Sequence, residues 1–253
     1  MCGRFALLAL PQKVADYFDL VELEAFPPRY NIAPTQPILV VSSADLHDPS
    51  SNLPDRKAQL VRWAFMPGWV KDPKEFPTII NARSETAISK PSFRAAMRHR
   101  RILIPASGYY EWQREGLGPD EKPQPYFMRP KHGQIFAIAG IMETWASADG
   151  SEVDTAALLT TKANDTLSAV HDRMPVVIQP ENFSQWLDCR TQEPRDVKHL
   201  MQPANDDFFE MIPVSDAVNK VANMGPNLIE KVEPRKSLKE KPVKPGSAQM
   251  SLF

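Results

Sequence analysis

The sequence predicts an α+β domain that is rich in antiparallel β-sheet, barrel-like, and carries only short helices. Two observations favour this class over a helical bundle. The chain has 25 prolines against 10 glycines, and proline is excluded from the interior of long helices. Short runs of β-branched and aromatic residues recur along the chain, and most are bounded by Pro, Gly or Asp. Such a chain is expected to fold around strands joined by tight turns.

The individual elements follow from these runs. Strands are predicted over residues 38–41, 60–65, 78–80, 102–104, 135–141, 156–161 and 176–178. Helices are predicted where the apolar spacing is helical, several of them directly after a proline. They cover residues 12–18, 92–99 with Ser92 as the N-cap, 181–188 and 195–201.

Length and charge bound the class of protein. With 253 residues, 42% hydrophobic and 24% charged, the chain has enough apolar material for a buried core. The longest apolar run, residues 135–142, is far below the roughly 18 residues of a membrane helix, and no secretory signal is recognised, so a cytoplasmic protein is expected. A formal net charge of −1 excludes a protein that coats nucleic acid through bulk charge. A local basic groove remains compatible with that balance.

The chain is predicted to divide into a folded domain, residues 1–230, and a flexible basic tail, residues 231–253. In the tail, six Lys and Arg residues stand against Glu233 and Glu240, which leaves a local charge of +4 among several prolines. A second polar segment, residues 47–57, is expected to be a surface excursion between strands.

The two cysteines predict neither a disulfide framework nor a metal site. Cys2 and Cys189 lie far apart without a C-x-x-C pair, and the chain has only five histidines, so no metal and no cofactor are expected. Cys189 is expected to lie at or near the surface. Cys2 is different because removal of Met1 is easy before a small residue and would leave Cys2 with a free α-amine.

An N-terminal cysteine is a distinctive reagent. The α-amine has a reference pKa of about 7.7–8.0 and the thiol one of about 8.5, so both are partly nucleophilic near neutral pH. The amine captures an aldehyde as a Schiff base, and the thiol can then close a five-membered thiazolidine on the same carbon. The alternative is a cysteine buried as a small apolar group, which is common for free cysteine.

Six motifs follow one another along the chain. They are Cys-Gly-Arg-Phe from residue 2, Tyr-Asn-Ile-Ala-Pro-Thr from 30, Arg-Trp and Pro-Gly-Trp between 62 and 69, Asn-Ala-Arg-Ser-Glu-Thr from 81, Gly-Tyr-Tyr-Glu-Trp from 108 and His-Asp-Arg-Met-Pro from 171. In these motifs and their order the sequence resembles the SOS-response-associated peptidase (SRAP) family, whose members shield abasic sites in single-stranded DNA. The resemblance covers nearly the whole predicted domain and leaves out the tail.

The resemblance implies a covalent reaction with a DNA lesion during replication. Cys2, freed of Met1, would trap the ring-opened aldehyde of an abasic site as a thiazolidine DNA–protein crosslink, by lyase-like Schiff-base chemistry. Asn81 would hold the N-terminus, Glu111 would move protons at the Schiff base, and His171 would assist opening of the sugar ring. Taken without the family, the residues favour an exposed carboxylate for Glu111 and a satisfied loop histidine for His171.

The resemblance also implies a set of DNA contacts. Arg4, Arg83 and Arg173 would face the backbone around the lesion, and Thr160 would approach the abasic sugar. Flanking bases would pack against Pro34, Trp69 and Trp112.

Charge along the chain indicates the same partner. Residues 81–101 contain six Lys and Arg residues against Glu85 alone, a local charge of +5 that can bind phosphates. A solvated helix end over residues 98–101 is the alternative. Trp63 and Phe65 share one strand face and are expected in the core.

Two rival functions remain open. One is a cysteine peptidase or N-terminal-nucleophile amidohydrolase using Cys2, His171 and Asn81, with the bond after Met1 as the one that it cuts in itself. The other is a non-catalytic single-strand-binding module.

The end of the sequence carries one further motif. It resembles the pentapeptide that binds the bacterial sliding clamp, with chance as the alternative, and comprises Gln249, Met250, Ser251, Leu252 and Phe253. A monomer is expected otherwise.

Overall fold

The computed structural model of the protein describes residues 2–44, 55–113 and 122–235. Within these ranges the chain forms strands β1 (Arg4–Leu7), β2 (Arg29–Ile32), β3 (Pro37–Ser43), β4 (Arg56–Arg62), β5 (Asn81–Arg83), β6 (Arg101–Ala106), β7 (Gly108–Gln113), β8 (Gln124–Pro130), β9 (Phe136–Ala146), β10 (Glu152–Lys162), β11 (Arg173–Pro175), β12 (Val177–Ile178) and β13 (Phe209–Pro213). The α-helices are α1 (Pro11–Phe18), α2 (Ser84–Ala87), α3 (Pro91–His99), α4 (Asp165–Ser168) and α5 (Phe183–Leu187).

Five strands close a barrel. β10 pairs with β4, and the order continues through β3, β6 and β9 back to β10. The long strands β9 and β10 form an antiparallel ladder, whereas β4 and β10 run parallel. β5, β11 and β12 extend this barrel sheet, and β5 lies parallel to β10 with Asn81 opposite Leu158. The predicted antiparallel, barrel-like α+β class is confirmed.

A second sheet contains five strands in the order β13-β8-β7-β1-β2. Its central strand β7 enters through Gly108, where a Cβ would stand 2.2 Å from the Phe127 ring and 2.8 Å from the Met128 carbonyl. Only glycine lets strands β7 and β8 approach this closely. β1 pairs with β7 so that Arg4 lies opposite Tyr110. The chain segment that carries Cys2 is thereby fixed beside β7.

The core lies inside the barrel and between the two sheets. Trp63 and Phe65 are buried, as predicted, and Trp63 packs edge-on against Phe5 at 5.2 Å between ring centroids. On the helical side, Phe18 of α1 stacks on Phe183 of α5 at 5.2 Å. Aromatic contacts of this kind add to the burial of large apolar surfaces.

Five of the seven predicted strands coincide with strands of the barrel sheet, namely β3, β6, β9, β10 and β12. The other two predictions, residues 60–65 and 78–80, are displaced. β4 ends at Arg62 because its partner residue there is Pro37, the first residue of β3. Beyond that point Phe65 and Ile79 form a single bridge instead of a ladder, and β5 begins only at Asn81.

The helix predictions are right at α1 and α3, and residues 181–188 form a 3₁₀ turn followed by α5. Ser92 as the cap of α3 is wrong, because Lys90 is the N-cap and Pro91 the first helical residue. The predicted helix over residues 195–201 is also wrong. Its backbone N–H groups bond to carbonyls three residues back, so only a 3₁₀ turn, Lys198–Met201, forms before Pro203.

Most of the predicted excursion over residues 47–57 and most of the predicted tail lie outside the described residues. At the start of the tail, the Val232 N–H donates to the Pro213 carbonyl and the Arg235 guanidinium to the carbonyls of Lys122 and Pro123. Among the helices of the described ranges, none is long and apolar enough to cross a membrane.

Candidate functional site

Cys2 is anchored between the two sheets. Asn81, at the start of β5, donates from its side-chain amide to the Cys2 carbonyl at 2.8 Å. The Cys2 side chain is buried, and its thiol lies 3.7 Å from the Arg4 carbonyl as a weak donor. Burial, with the nearby charge of Glu111, raises the pKa of this thiol. The structure therefore brings Asn81 to the backbone of Cys2 and keeps the thiol in its neutral form.

Glu111 lies in the central strand of the second sheet and is almost wholly buried. Burial raises the pKa of its carboxyl above the usual range. Tyr109 lies two residues before Glu111 in the same strand. Burial, together with the charges of Cys2 and Glu111, also raises its pKa. The raised pKa of the Glu111 carboxyl favours its protonated form more than in an exposed glutamate, which suits a group that exchanges protons with a substrate.

Glu111 and His171 meet at one cavity of 590 Å³, which Asn81 and Trp112 also line. His171 Nδ1 lies 2.9 Å from the Arg173 backbone N–H and equally 2.9 Å from an exposed Asp172 oxygen. A single ring nitrogen cannot serve both, and the backbone N–H can only donate, so we assign Nδ1 as an acceptor. The neutral ring then carries its proton on Nε2.

Arg173 and Thr160 lie together at the pairing of β10 with β11. Arg173 Nη2 donates to the Thr160 carbonyl at 2.6 Å, and the guanidinium forms a bidentate pair with Glu85 at 2.5 and 2.9 Å. Arg173 lowers the pKa of Glu85 through that hydrogen bonding. Both Arg173 and Thr160 are buried, so their predicted contacts with DNA stay predictions.

Arg4 is held by a segment that precedes the C-terminal tail. Its Nη1 donates at 2.8 Å both to the Asn31 side chain and to the Val218 carbonyl, and Nη2 donates to the Asn219 carbonyl at 3.4 Å. The indole N–H of Trp112 donates to the Asn219 side chain at 2.8 Å. We call residues 215–223 the strap, because it ties β1, β2 and β7 together.

Three further predicted contacts, Pro34, Trp69 and Arg83, do not line the cavity. Arg83 is exposed where β5 passes into α2, and Pro34 is half-buried beside Thr35, whose φ is +72°. Trp69 is 62% exposed and packs edge-on against Phe76 at 5.6 Å. An exposed indole and an exposed guanidinium are what a single strand of nucleic acid can bind.

The basic stretch over residues 81–101 is not one binding surface. Arg101 is buried, and its guanidinium donates to the carbonyls of Met97, Trp186, Asp188 and Gln192. Arg98 pairs with Glu193 at 2.7 Å, and Arg100 with Glu143 at 3.2 Å. The prediction that these arginines bind phosphates is wrong for Arg101, because its donors satisfy the carbonyl ends of the α3 and α5 regions.

Several site neighbours carry no sequence signal of their own. Asn31, Glu85 and Tyr109 lie inside or beside the predicted motifs, yet nothing in their spacing indicates their contacts with Arg4, Arg173 and the Cys2 cluster. In the described part of the chain, no group of three or more His, Cys, Asp or Glu residues could hold a metal ion. Cys189 is half-buried, as expected, and its sulfur accepts from the Arg101 N–H at 3.4 Å.

Comparison with known proteins adds a family and several relatives. Residues 1–221 match the family described as SOS response associated peptidase (SRAP). The Abasic site processing protein YoqW of Bacillus subtilis (strain 168) is 37% identical over 233 residues, which are 91% of this chain and 99% of that protein. The Abasic site processing protein YedK of Escherichia coli (strain K12) is 34% identical over 247 residues, which are 92% and 100% of the two chains.

More distant matches extend the comparison. The Abasic site processing protein HMCES of Gallus gallus is 31% identical over 233 residues, which are 81% of this chain and 67% of that protein. Among solved structures, a protein from Bacteroides thetaiotaomicron superposes with a TM-score of 0.77 at 23% identity, over 92% of this chain and 100% of the other. At that identity the structural match shows the same fold.

Proposed function

The chain belongs to the SOS response associated peptidase (SRAP) family, and on that premise we propose that it processes abasic sites in single-stranded DNA by trapping them covalently. Its relatives from bacteria and from chicken bear the name of abasic site processing proteins. One observation supports the chemistry most directly. The Asn81 amide holds the Cys2 carbonyl at 2.8 Å, next to a buried glutamate with a raised pKa.

The reaction begins with two steps that prepare its partners. Hydrolysis of the bond after Met1 frees the α-amine of Cys2. In the abasic sugar, the C1′–O4′ bond breaks, O4′ gains a proton, and the C1′ hydroxyl loses its proton to leave an aldehyde. His171, with its proton assigned to Nε2 by the Arg173 N–H on Nδ1, is the group that donates to O4′.

The crosslink then forms with the loss of one water. The amine nitrogen attacks the aldehyde carbon, and one of its protons moves to the oxygen. The resulting hydroxyl leaves as water with a proton from Glu111, which gives the protonated Schiff base. The Cys2 sulfur adds to the same carbon, the electron pair of the C=N bond moves to the nitrogen, the thiol proton returns to the Glu111 carboxylate, and the thiazolidine ring closes. Because burial keeps the thiol neutral, this last step needs a nearby base, and Glu111 fits that need.

The same features favour crosslinking over general peptidase activity. A cysteine peptidase uses a thiolate whose pKa is lowered by a neighbouring histidine. Here burial raises the pKa of the Cys2 thiol, and its hydrogen bond goes to the Arg4 carbonyl. Cleavage after Met1 is the one peptide bond whose hydrolysis the proposal needs.

One incubation separates the three functions. The protein is mixed with an abasic single strand, an intact strand of the same sequence and a fluorogenic peptide, then heated in denaturant and run on a gel. We expect a heat-stable shifted band with the abasic strand only. Cys2→Ala should remove it and Cys189→Ala, the matched control, should keep it. Peptide cleavage without a band would favour a peptidase, and a shift that heating abolishes would favour a binding module.

We also propose that Gln249, Met250, Ser251, Leu252 and Phe253 bind a bacterial sliding clamp, which would place a monomeric domain on DNA in the cytoplasm at stalled replication. These residues lie outside the described part of the chain. Apolar side chains at 250, 252 and 253 would fill a pocket, and the basic tail would act as a tether. Titration of a peptide covering residues 246–253 into a clamp should show micromolar binding that L252A/F253A abolishes. An absence of heat and of competition with a known clamp ligand would overturn it.

A further inference from the structure

Asn31 is the least explained buried polar residue near the site. It is 4% exposed in β2, at the edge of the second sheet, and its side chain makes four hydrogen bonds. Its oxygen accepts from Arg4 Nη1 at 2.8 Å, and the two hydrogens of its nitrogen are shared among the carbonyls of Val218, Lys220 and Asn223 at 3.0–3.3 Å. A buried amide with this many partners fixes the strap against β1 and β2.

The same contacts do not use every donor of the Arg4 guanidinium. Both hydrogens on Nη1 are used by Asn31 and Val218, and one hydrogen on Nη2 points to Asn219. No hydrogen bond from Nε or from the second Nη2 hydrogen is made to any of the described residues. The Nε–Nη2 edge is the planar fork that binds phosphate with two parallel hydrogen bonds.

We propose that Asn31 and the strap are positioning elements that hold Arg4 by its Nη1 end and present its Nε–Nη2 fork to a phosphate of the DNA strand next to the lesion. The inference rests on the proposed function. The strap holds the other side of the site too, because its Asn219 side chain accepts from Trp112, the neighbour of Glu111. The strap therefore positions both Arg4, which lies two residues after Cys2, and Trp112, which directly follows Glu111.

Fixing the fork in advance has a thermodynamic consequence. A free arginine side chain loses rotamer freedom when it binds a phosphate, whereas Arg4 has already lost it in the folded protein. The strap and the uncharged Asn31 thus fix Arg4 during folding, and DNA binding does not have to supply the free energy for that ordering. Removing Asn31 should weaken the DNA complex only by releasing Arg4.

The test measures affinity for an intact single strand, which forms no crosslink, across a series of salt concentrations. Asn31→Ala should weaken binding about tenfold, the scale of lost charge-assisted hydrogen bonds, and should lower the salt slope by about 0.7, the value of one phosphate contact on a single strand. Arg4→Ala should do the same. In the Arg4→Ala background, Asn31→Ala should change neither quantity further, because the two act as one unit.

Gln124→Ala is the matched control. Gln124 is the other well-buried side-chain amide among the described residues, at 6% exposure, and it also joins three backbone groups, but none of these hydrogen bonds goes to Arg4 or Trp112. Its loss should lower the melting temperature and leave the salt slope unchanged. If Asn31→Ala does not fold, Asn31→Ser is an uncharged variant whose shorter side chain should release Arg4, and it should lower the salt slope in the same way.

Additive losses in the double variant, or an unchanged salt slope in folded Asn31→Ala, would overturn the inference. Crosslinking by the wild-type protein is scored separately on abasic DNA. A wild type that binds but does not crosslink would contradict the proposed function and leave the role of Asn31 standing. A wild type that crosslinks while Asn31→Ala keeps full affinity would do the reverse.

Discussion

The barrel sheet and the second sheet use polar residues in opposite ways. In the barrel sheet, the buried Arg101 donates to four backbone carbonyls and stabilises the fold. In the second sheet, Glu111 is buried in the central strand with a raised pKa, and the described residues do not use all the donors of the Arg4 guanidinium. The site lies where the two sheets meet, since Asn81 comes from the barrel sheet and binds Cys2 beside the second. We infer that the closed barrel supplies rigidity, and that the reactive groups come from the second sheet together with Asn81 at the start of β5 and His171 just before β11.

The largest effect expected is on the stability of the barrel. Arg101→Ala leaves several buried carbonyls without donors, each costing about 1–3 kcal/mol, so the free energy of unfolding should fall by roughly 3 kcal/mol or more. Urea denaturation measures it, with the exposed Arg94→Ala as the control. A loss below about 1 kcal/mol, or weaker DNA binding by a folded Arg101→Lys, would break the division between the sheets.

Glu111→Gln should slow crosslinking by roughly 100-fold, the usual size of a lost acid–base group, while affinity for the intact strand stays unchanged. The same substitution should raise, not lower, the stability of the fold at alkaline pH. A carboxyl whose pKa is raised by burial loses stabilisation as the pH rises through that pKa, so wild type should weaken from acid to alkaline pH and Glu111→Gln should not.

Thermal melts at several pH values check this contrast, with Glu210→Gln of β13, a half-buried glutamate paired with Arg129, as the control in the same sheet. Glu111→Gln should melt higher than wild type at alkaline pH, and the difference should shrink as the pH falls. A variant that crosslinks at the wild-type rate, or melts lower at every pH, would contradict the role assigned to Glu111.

Alanine substitutions at Gly108 and Gly140 test how tightly each of the two sheets is packed. A Cβ at Gly108 would meet ring carbons and a backbone oxygen, at 2.2–2.8 Å, whereas one at Gly140 of the barrel would meet the mobile end of Ile104 at 2.7 Å and backbone at 3.1 Å. Overpacking costs about 1–3 kcal/mol, and Gly108→Ala should lie at the top of this range and Gly140→Ala lower. Gly68→Ala, with 3.8 Å of room, should be neutral. The reverse order in calorimetry would show that the second sheet yields more easily.

The smallest effect on DNA binding is expected from Arg83. Arg83→Ala should weaken binding to any single strand a few fold and lower the salt slope by about 0.7, with no change in melting temperature, because Arg83 is exposed. Arg195→Ala, an exposed arginine away from the cavity, should leave the salt slope as it is. If both variants behave alike, Arg83 makes no specific contact with the DNA strand.

The two sheets also differ in how far the sequence predicts them. Five of the seven predicted strands are barrel strands, because apolar runs such as residues 135–141 are buried on both sides. The strands of the second sheet were not predicted. β8 contains Pro125 and Pro130, and β7 places Glu111 inside the sheet, so the pattern that marks a strand is interrupted where the chemistry lies.

The site residues were predicted from motifs, whereas their contacts were not. Asn81, Glu111 and His171 do line one cavity, and their catalytic roles stay predictions. The strap's hold on Arg4 joins residues more than 200 positions apart, which no local pattern encodes. Likewise, the charge count over residues 81–101 could not show that Arg101 is buried, since the count does not distinguish a donor facing carbonyls from one facing solvent.

The central claim is that Cys2 supplies both atoms of the crosslink, and intact mass spectrometry of the heat-treated adduct tests it most directly. Wild-type adduct should weigh the protein without Met1 plus the abasic strand minus one water, and borohydride should not change that mass, because a thiazolidine has no C=N bond to reduce. Cys2→Ala should yield an adduct only with borohydride, heavier by two hydrogens than the Schiff base. An equally stable borohydride-independent adduct from Cys2→Ala, or a wild-type adduct that retains Met1, would contradict the account.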